Sequence, residues 1–268
     1  GSRRWLNLGL FKFQPSELAK LAIILFTATW TMKVKGKIQN FFVLLIPLLV
    51  MGVYFALIML EPDMGTAGTL ALTTIIMLLA AGAKLIHFFL LGIPAVPAFI
   101  ALIVAEPYRL KRLLAFRDPW ADPLGAGFHI IQSLLALGSG GIFGLGLGRS
   151  RQKFWYLPEQ HTDFIFSILG EELGFIGTIL VLVLFLLFAW RGLRIAMTAP
   201  DFFSSILAVG ITTMIVLQAV INIGVVTGSL PITGITLPLI SYGGSSLLIT
   251  LSAIGVLLNI SRHKTAAK

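Results

Sequence analysis

Phe41-Phe42-Val43-Leu44-Leu45-Ile46-Pro47-Leu48-Leu49-Val50-Met51-Gly52-Val53-Tyr54-Phe55-Ala56-Leu57-Ile58-Met59-Leu60 contains no charged side chain. About 20 helical residues, at about 1.5 Å each, cross a hydrocarbon core about 30 Å thick, so this stretch reads as a transmembrane helix. Six further apolar runs stand near 16–32, 66–83, 85–105, 164–190, 205–227 and 240–260. They are unbroken, unlike the alternating segments of about ten residues that build a transmembrane barrel. The expected fold is all-α, a polytopic transmembrane helical bundle of seven spans. Of the 268 residues, 57% are hydrophobic and 12% charged. Soluble domains are nearer about 45–50% apolar and about 25% charged, so a soluble globular domain is excluded. The absence of cysteine excludes a disulfide framework, a zinc–thiolate site and a catalytic thiol.

The cations give the orientation. The short segments 33–39, 84, 191–194 and 262–268 carry Lys33, Lys35, Lys37, Lys84, Arg191, Arg194, Arg262, Lys264 and Lys268, whereas 61–65 and 228–236 carry no Lys or Arg. The positive-inside rule makes the first set cytoplasmic. The C-terminus is then inside and Gly1 outside. With no initiator Met, the chain reads as the C-terminal part of a longer protein with one or three further spans upstream. Residues 1–268 are expected to form a single membrane domain, with 106–163 as its large extracellular loop. That loop holds Arg109, Lys111, Arg112, Arg117, Arg149, Arg151 and Lys153. Two readings stand: a long loop translocates whatever its charge, or these cations collect a polyanionic ligand at the outer surface. The net charge of +9 fits anionic lipid or an anionic substrate, and no nucleic acid is expected.

Within the loop, residues 128–137 have the spacing of a short helix, interfacial or re-entrant. Gly144-Leu145-Gly146-Leu147-Gly148-Arg149-Ser150 resembles a nucleotide-binding glycine loop only superficially, because no strand or βαβ unit surrounds it. Tight turns are the better reading. Charges inside spans say more, since each needs a partner or a water-filled cavity. Glu17 and Lys20 lie three apart on one helical face, and Lys20 is expected to meet a carboxylate, either Glu17 or the Asp163 region. Glu171 and Glu172 lie inside the fifth span with no cation near in sequence. Asp163 opens that span, where the helix dipole favours an anion, about 12 Å shallower than Glu171.

Six motifs then occur in order: Gly1-Ser2-Arg3-Arg4-Trp5, Gln14-Pro15-Ser16-Glu17-Leu18-Ala19-Lys20, Pro62-Asp63-Met64-Gly65-Thr66, Pro158-Glu159-Gln160-His161-Thr162-Asp163-Phe164, Gly170-Glu171-Glu172-Leu173-Gly174 and Leu237-Pro238-Leu239-Ile240-Ser241-Tyr242-Gly243-Gly244-Ser245-Ser246. Together they resemble the SEDS family (shape, elongation, division and sporulation), which includes RodA, FtsW and SpoVE. The form of the Tyr156–Asp163 stretch resembles the division and sporulation branch. Family members have ten helices, and this chain resembles helices four to ten. Met64 stands where the family usually has Leu.

The resemblance implies a peptidoglycan glycosyltransferase that polymerises lipid II at the outer face of the cytoplasmic membrane, beside a class B penicillin-binding protein. It implies Asp163 as the catalytic carboxylate, and Lys12 and Lys20 as basic positions for substrate handling or for pairing with it. Arg3, Arg4, Trp5, Glu17 and Asp63 fall in the family's other functional motifs. Arg109 and Arg112 are candidates for the substrate diphosphate on charge and location alone. No cofactor is identified, and a divalent cation, Mg or Mn, is compatible with a diphosphate substrate. The alternatives are a lipid II flippase and a non-catalytic scaffold for the penicillin-binding protein.

Overall fold

The computed structural model describes residues 4–7, 9, 12–152 and 161–263. Among them are nine α-helices: α1 (Pro15–Lys33), α2 (Phe41–Leu60), α3 (Met64–Ala80), α4 (Leu85–Val104), α5 (Pro107–Arg117), α6 (Phe128–Ser139), α7 (Ile165–Met197), α8 (Phe202–Val226) and α9 (Gly244–Arg262). Leu6–Asn7 and Lys12–Phe13 form a two-residue antiparallel ladder, β1 with β2. A helix stands at each of the seven apolar runs. Five of them, α2, α4, α7, α8 and α9, are long and apolar enough to cross a membrane. Of the other two, α1 carries Glu17 and Lys20, and α3 has 17 residues.

Local chemistry sets the boundaries. The Asn40 side chain accepts the Phe42 N–H and caps α2. Asp63 caps α3 through Thr66, so α3 starts ahead of the expected position 66. The last helix starts at Gly244 rather than near 240. There the Ser241 hydroxyl accepts the Leu237 N–H and holds a turn in place of a helical ladder. Region 106–163 holds the anticipated short helix as α6, and α5 besides. The interleaved cations of α5, Arg109, Lys111, Arg112 and Arg117, masked its helical pattern.

The chain divides into two compact units, residues 1–87 with 185–218 and 243–268, and residues 88–184 with 219–242. In the first, Ile24 and Ala28 of α1, Met77 of α3, Ile211 and Ile215 of α8 and Leu257 of α9 form a buried core. A second cluster joins Ile23, Ile58, Met59, Ala67 and Leu70 across α1, α2 and α3. In the other unit, the buried Ser133 hydroxyl donates to the Val226 carbonyl at 2.6 Å. Its proton is thereby used, so Ser167, 2.7 Å away, donates to Ser133. His129 stacks on Phe164 beside them.

The second unit also contains a broken helix. Gly174 interrupts α7 with φ 68° and ψ −166°, a conformation essentially confined to glycine. A break in an apolar segment frees backbone groups that hydrocarbon cannot satisfy. Residues 141–146 satisfy them: Leu145 N–H donates to Glu171 O (2.9 Å) and Gly146 N–H to Glu172 O (3.0 Å). In return, Phe175 N–H donates to Gly141 O (2.9 Å) and Ile176 N–H to Ile142 O (3.2 Å).

Candidate functional site

Asp163 lies in the turn 161–164, two residues ahead of α7, rather than opening the helix as the sequence suggested. That turn is pinned from three points in its own unit. The Asn222 amide donates both to the Asp163 carbonyl and to the Ile235 carbonyl, at 2.7 Å each. The Ser241 hydroxyl donates to the Thr162 carbonyl at 2.6 Å. Tyr242 N–H donates to the His161 carbonyl at 2.8 Å. A Cβ at Gly234 would stand 3.5 Å from Asp163 Oδ2, so the segment around 234 lies against the carboxylate. Two of the motifs quoted above thus meet: the 237–242 stretch holds the backbone that presents Asp163.

The loop cations divide. Arg112 donates to the Ile232 carbonyl at 3.3 Å and lies over the Tyr108 ring at 4.4 Å, so α5 carries a cation to the segment that borders Asp163. Arg109 donates instead to Leu102 O at 2.8 Å, in the last turn of α4. Among the described residues of the loop, Arg112 is the cation with a hydrogen bond to that segment. Residues 153–160, with Lys153 and the Pro158–Gln160 part of the motif, lie outside the described residues, as does Arg3.

In the other unit, Lys20 Nζ meets Glu17 Oε1 at 2.9 Å, with both residues buried in α1. This is one of the two partners expected for Lys20. Asp63 is buried, accepting Thr66 N–H at 3.0 Å and Thr66 Oγ1–H at 2.9 Å, which makes it a helix cap. Arg4 donates to the carbonyls of Glu61 (2.7 Å) and Pro62 (2.6 Å), and Trp5 is half exposed. Lys12 pairs with Asn7 in the ladder. Its side chain is outside the described residues. Beside them lies a mainly apolar cavity of about 450 Å³, lined by Leu6, Phe13, Ser16, Ala19, Leu57 and Glu61 among others. The Glu61 carboxyl is raised from its ordinary value, by burial first and Asp63 second, against the lowering effect of Arg4.

The glycine loop finds its explanation at Glu171. The Ser150 hydroxyl and the backbone N–H groups of Arg151 (3.0 Å) and Gln152 (3.3 Å) all donate to the buried Glu171 carboxylate. Positive φ at Gly144, Gly146 and Gly148 provides the turns that make this wrapping possible. A Cβ at Gly144 would fall 2.2 Å from Glu172 O, so only glycine fits. Asn222 and Gly234 stand outside the six motifs, and Ser241 stands within the sixth, where its role is visible only in the fold. The signal for Asn222 was available, because an amide within the apolar run 205–227, whose amide side chains are just Gln218 and Asn222, needs buried partners.

The chain matches the FtsW/RodA/SpoVE cell cycle protein family over residues 1–266. It is 53% identical over 266 residues to stage V sporulation protein E of Bacillus subtilis (strain 168), covering 98% of this chain and 72% of that protein. It is 48% identical over 268 residues to a probable peptidoglycan glycosyltransferase FtsW of Geobacter sp. (strain M18), covering 100% of this chain and 73% of that one. Among solved structures, a chain of a peptidoglycan synthase complex that coordinates polymerization and crosslinking superposes with a TM-score of 0.79 at 34% identity, over 100% of this chain and 75% of that one. Thermus thermophilus rod shape determining protein RodA superposes with a TM-score of 0.68 at 30% identity, over 100% of this chain and 71% of its own. With helices at the seven apolar runs and 266 of 268 residues matched, the chain belongs to the FtsW/RodA/SpoVE family of multi-pass membrane proteins.

Proposed function

We propose that this chain carries the active site of a peptidoglycan glycosyltransferase that polymerises lipid II, with Asp163 as the general base. The relatives of this family named as peptidoglycan glycosyltransferases support the activity. The observation that carries the residue assignment is the pinned turn at 161–164, where Asn222 and Ser241 fix the backbone of a carboxylate just ahead of a helix. In the reaction, the 4-hydroxyl oxygen of one GlcNAc bonds to the anomeric carbon of a MurNAc. The bond from that carbon to the diphosphate breaks, and undecaprenyl pyrophosphate leaves with the electron pair. The hydroxyl proton goes to the Asp163 carboxylate. Arg112 supplies positive charge for the leaving diphosphate. Among the described residues no three His, Cys, Asp or Glu side chains come together to hold a metal. A Mg or Mn ion brought in on the diphosphate is a separate proposal, tested by chelation.

The site faces the cell exterior in this reading, and a class B penicillin-binding protein is the partner that crosslinks the product. The test uses purified full-length protein, that partner and lipid II in proteoliposomes. Glycan strands longer than the dimer are expected. Movement of labelled lipid II across the bilayer without strand formation would establish the flippase in its place. Partner binding with neither activity would leave a scaffold.

A further inference from the structure

Arg191 and Arg194 stand in the last two turns of α7 and border a cavity of about 200 Å³ that shares no lining residue with the candidate site. Its other walls are Phe188, Gly192 and Ile195 of α7 with Ile254, Leu257, Leu258 and Ser261 of α9. All of these residues belong to the first compact unit. The two guanidinium groups, three apart, share one helix face. Both lie over the exposed Trp190 ring, at 5.6 and 5.7 Å from its centre. Among the described residues, neither has a carboxylate within ion-pair distance, and Asp201 is engaged by Ser204. Cations at a helix C-terminus complement its dipole, which accounts for their being there. It does not account for a cavity with two unneutralised guanidinium groups on an apolar floor. The two helices that form it are both long and apolar enough to cross a membrane, and Trp190 is the residue type that settles at the headgroup level.

The geometry points to a binding site for the phosphodiester headgroup of an anionic phospholipid, held by Arg191 and Arg194 with its acyl chains against α7 and α9. Two arginines match a phosphate through paired N–H donors. The volume is below the roughly 300–1,000 Å³ of a drug-sized ligand site, so it takes a headgroup rather than a whole lipid. The site is independent of the catalytic reading.

The test is native mass spectrometry of purified full-length protein titrated with dioleoyl phosphatidylglycerol or dioleoyl phosphatidylcholine. Arg191→Gln/Arg194→Gln is expected to weaken phosphatidylglycerol binding about 30-fold through the loss of two charge-assisted guanidinium–phosphate contacts, and to leave phosphatidylcholine unchanged. Lys33→Gln/Lys37→Gln removes two cations of the same expected face and is expected to change binding less than about threefold. Should the Gln pair fail to fold, Arg191→Lys/Arg194→Lys keeps the charge but loses the paired donors, with an expected loss of about 3–10-fold. Equal losses in the Arg and Lys33/Lys37 pairs would overturn the site in favour of diffuse surface attraction. So would competition by inorganic phosphate as effective as that of the lipid, which would mark a soluble ligand instead.

Discussion

Two buried carboxylates, Glu17 in α1 and Glu171 in α7, solve the same problem in opposite ways. Glu17 is neutralised by Lys20 one turn along its own helix, at 2.9 Å. Glu171 accepts from a hydroxyl and two backbone N–H groups that a distant loop delivers. The first solution is local and leaves α1 continuous. The second is non-local and makes a glycine-rich loop adhere to the broken helix that carries the Gly170–Gly174 motif. The difference separates charges that a sequence reader can pair from charges that only the fold can pair.

The largest expected effect breaks the local solution. Lys20→Met leaves the Glu17 charge buried and alone, which costs about 3–5 kcal/mol. Replacing both, as Glu17→Leu/Lys20→Met, removes the uncompensated charge and is expected to recover most of that loss. The apparent melting temperature of purified protein reads both variants. A double variant as unstable as the single would show that the pair is not self-contained.

Breaking the non-local solution is expected to cost less and to act on the loop. Glu171→Gln replaces one accepting oxygen with a donor facing other donors, at about 1.5–3 kcal/mol. Amide hydrogen exchange at residues 150–152 should rise while exchange in α1 stays unchanged. Gly174→Ala attacks the same contact from its backbone side, since a Cβ there would fall 2.3 Å from Gly144 N. It should raise exchange at 144–146 as well. Protection retained in both variants would mean that the loop does not depend on Glu171 or on the break.

The smallest effect concerns an exposed charge that neither solution covers. Asp201 is held below its ordinary value by Ser204, through the backbone N–H and then the hydroxyl. A carboxylate lowered on folding adds stability that is full above about pH 5. It is lost as the pH falls through about 3.9 and then through the lower folded value. Asp201→Asn should flatten the melting temperature between pH 5 and pH 3. An unchanged acid slope would remove Asp201 from the account.

The seven helical runs were legible because lipid demands length and apolarity, which a sequence displays directly. Glu17 with Lys20 was legible because the spacing of three is helical. The Gly174 break was not, since the apolar run that holds Glu171 and Glu172 continues past it and a single glycine carries no periodicity. Helix α5 was hidden by its own cations. The Asp163 cradle needed long-range contacts, 59 residues to Asn222 and 79 from Thr162 to Ser241, and no local pattern announces those. Asp163 itself came from the family motif.

The role of Asp163 as the base is decided by the initial rate of glycan polymerisation from lipid II by full-length protein and its penicillin-binding partner, parent against Asp163→Asn. Asn keeps the shape and the backbone bonds to Asn222 but cannot take the hydroxyl proton. Intact folding and partner binding are expected, with a rate at least about 100-fold lower. Long strands made by Asp163→Asn at near the parent rate would contradict that role, and the carboxylate would then serve only the N-terminus of α7.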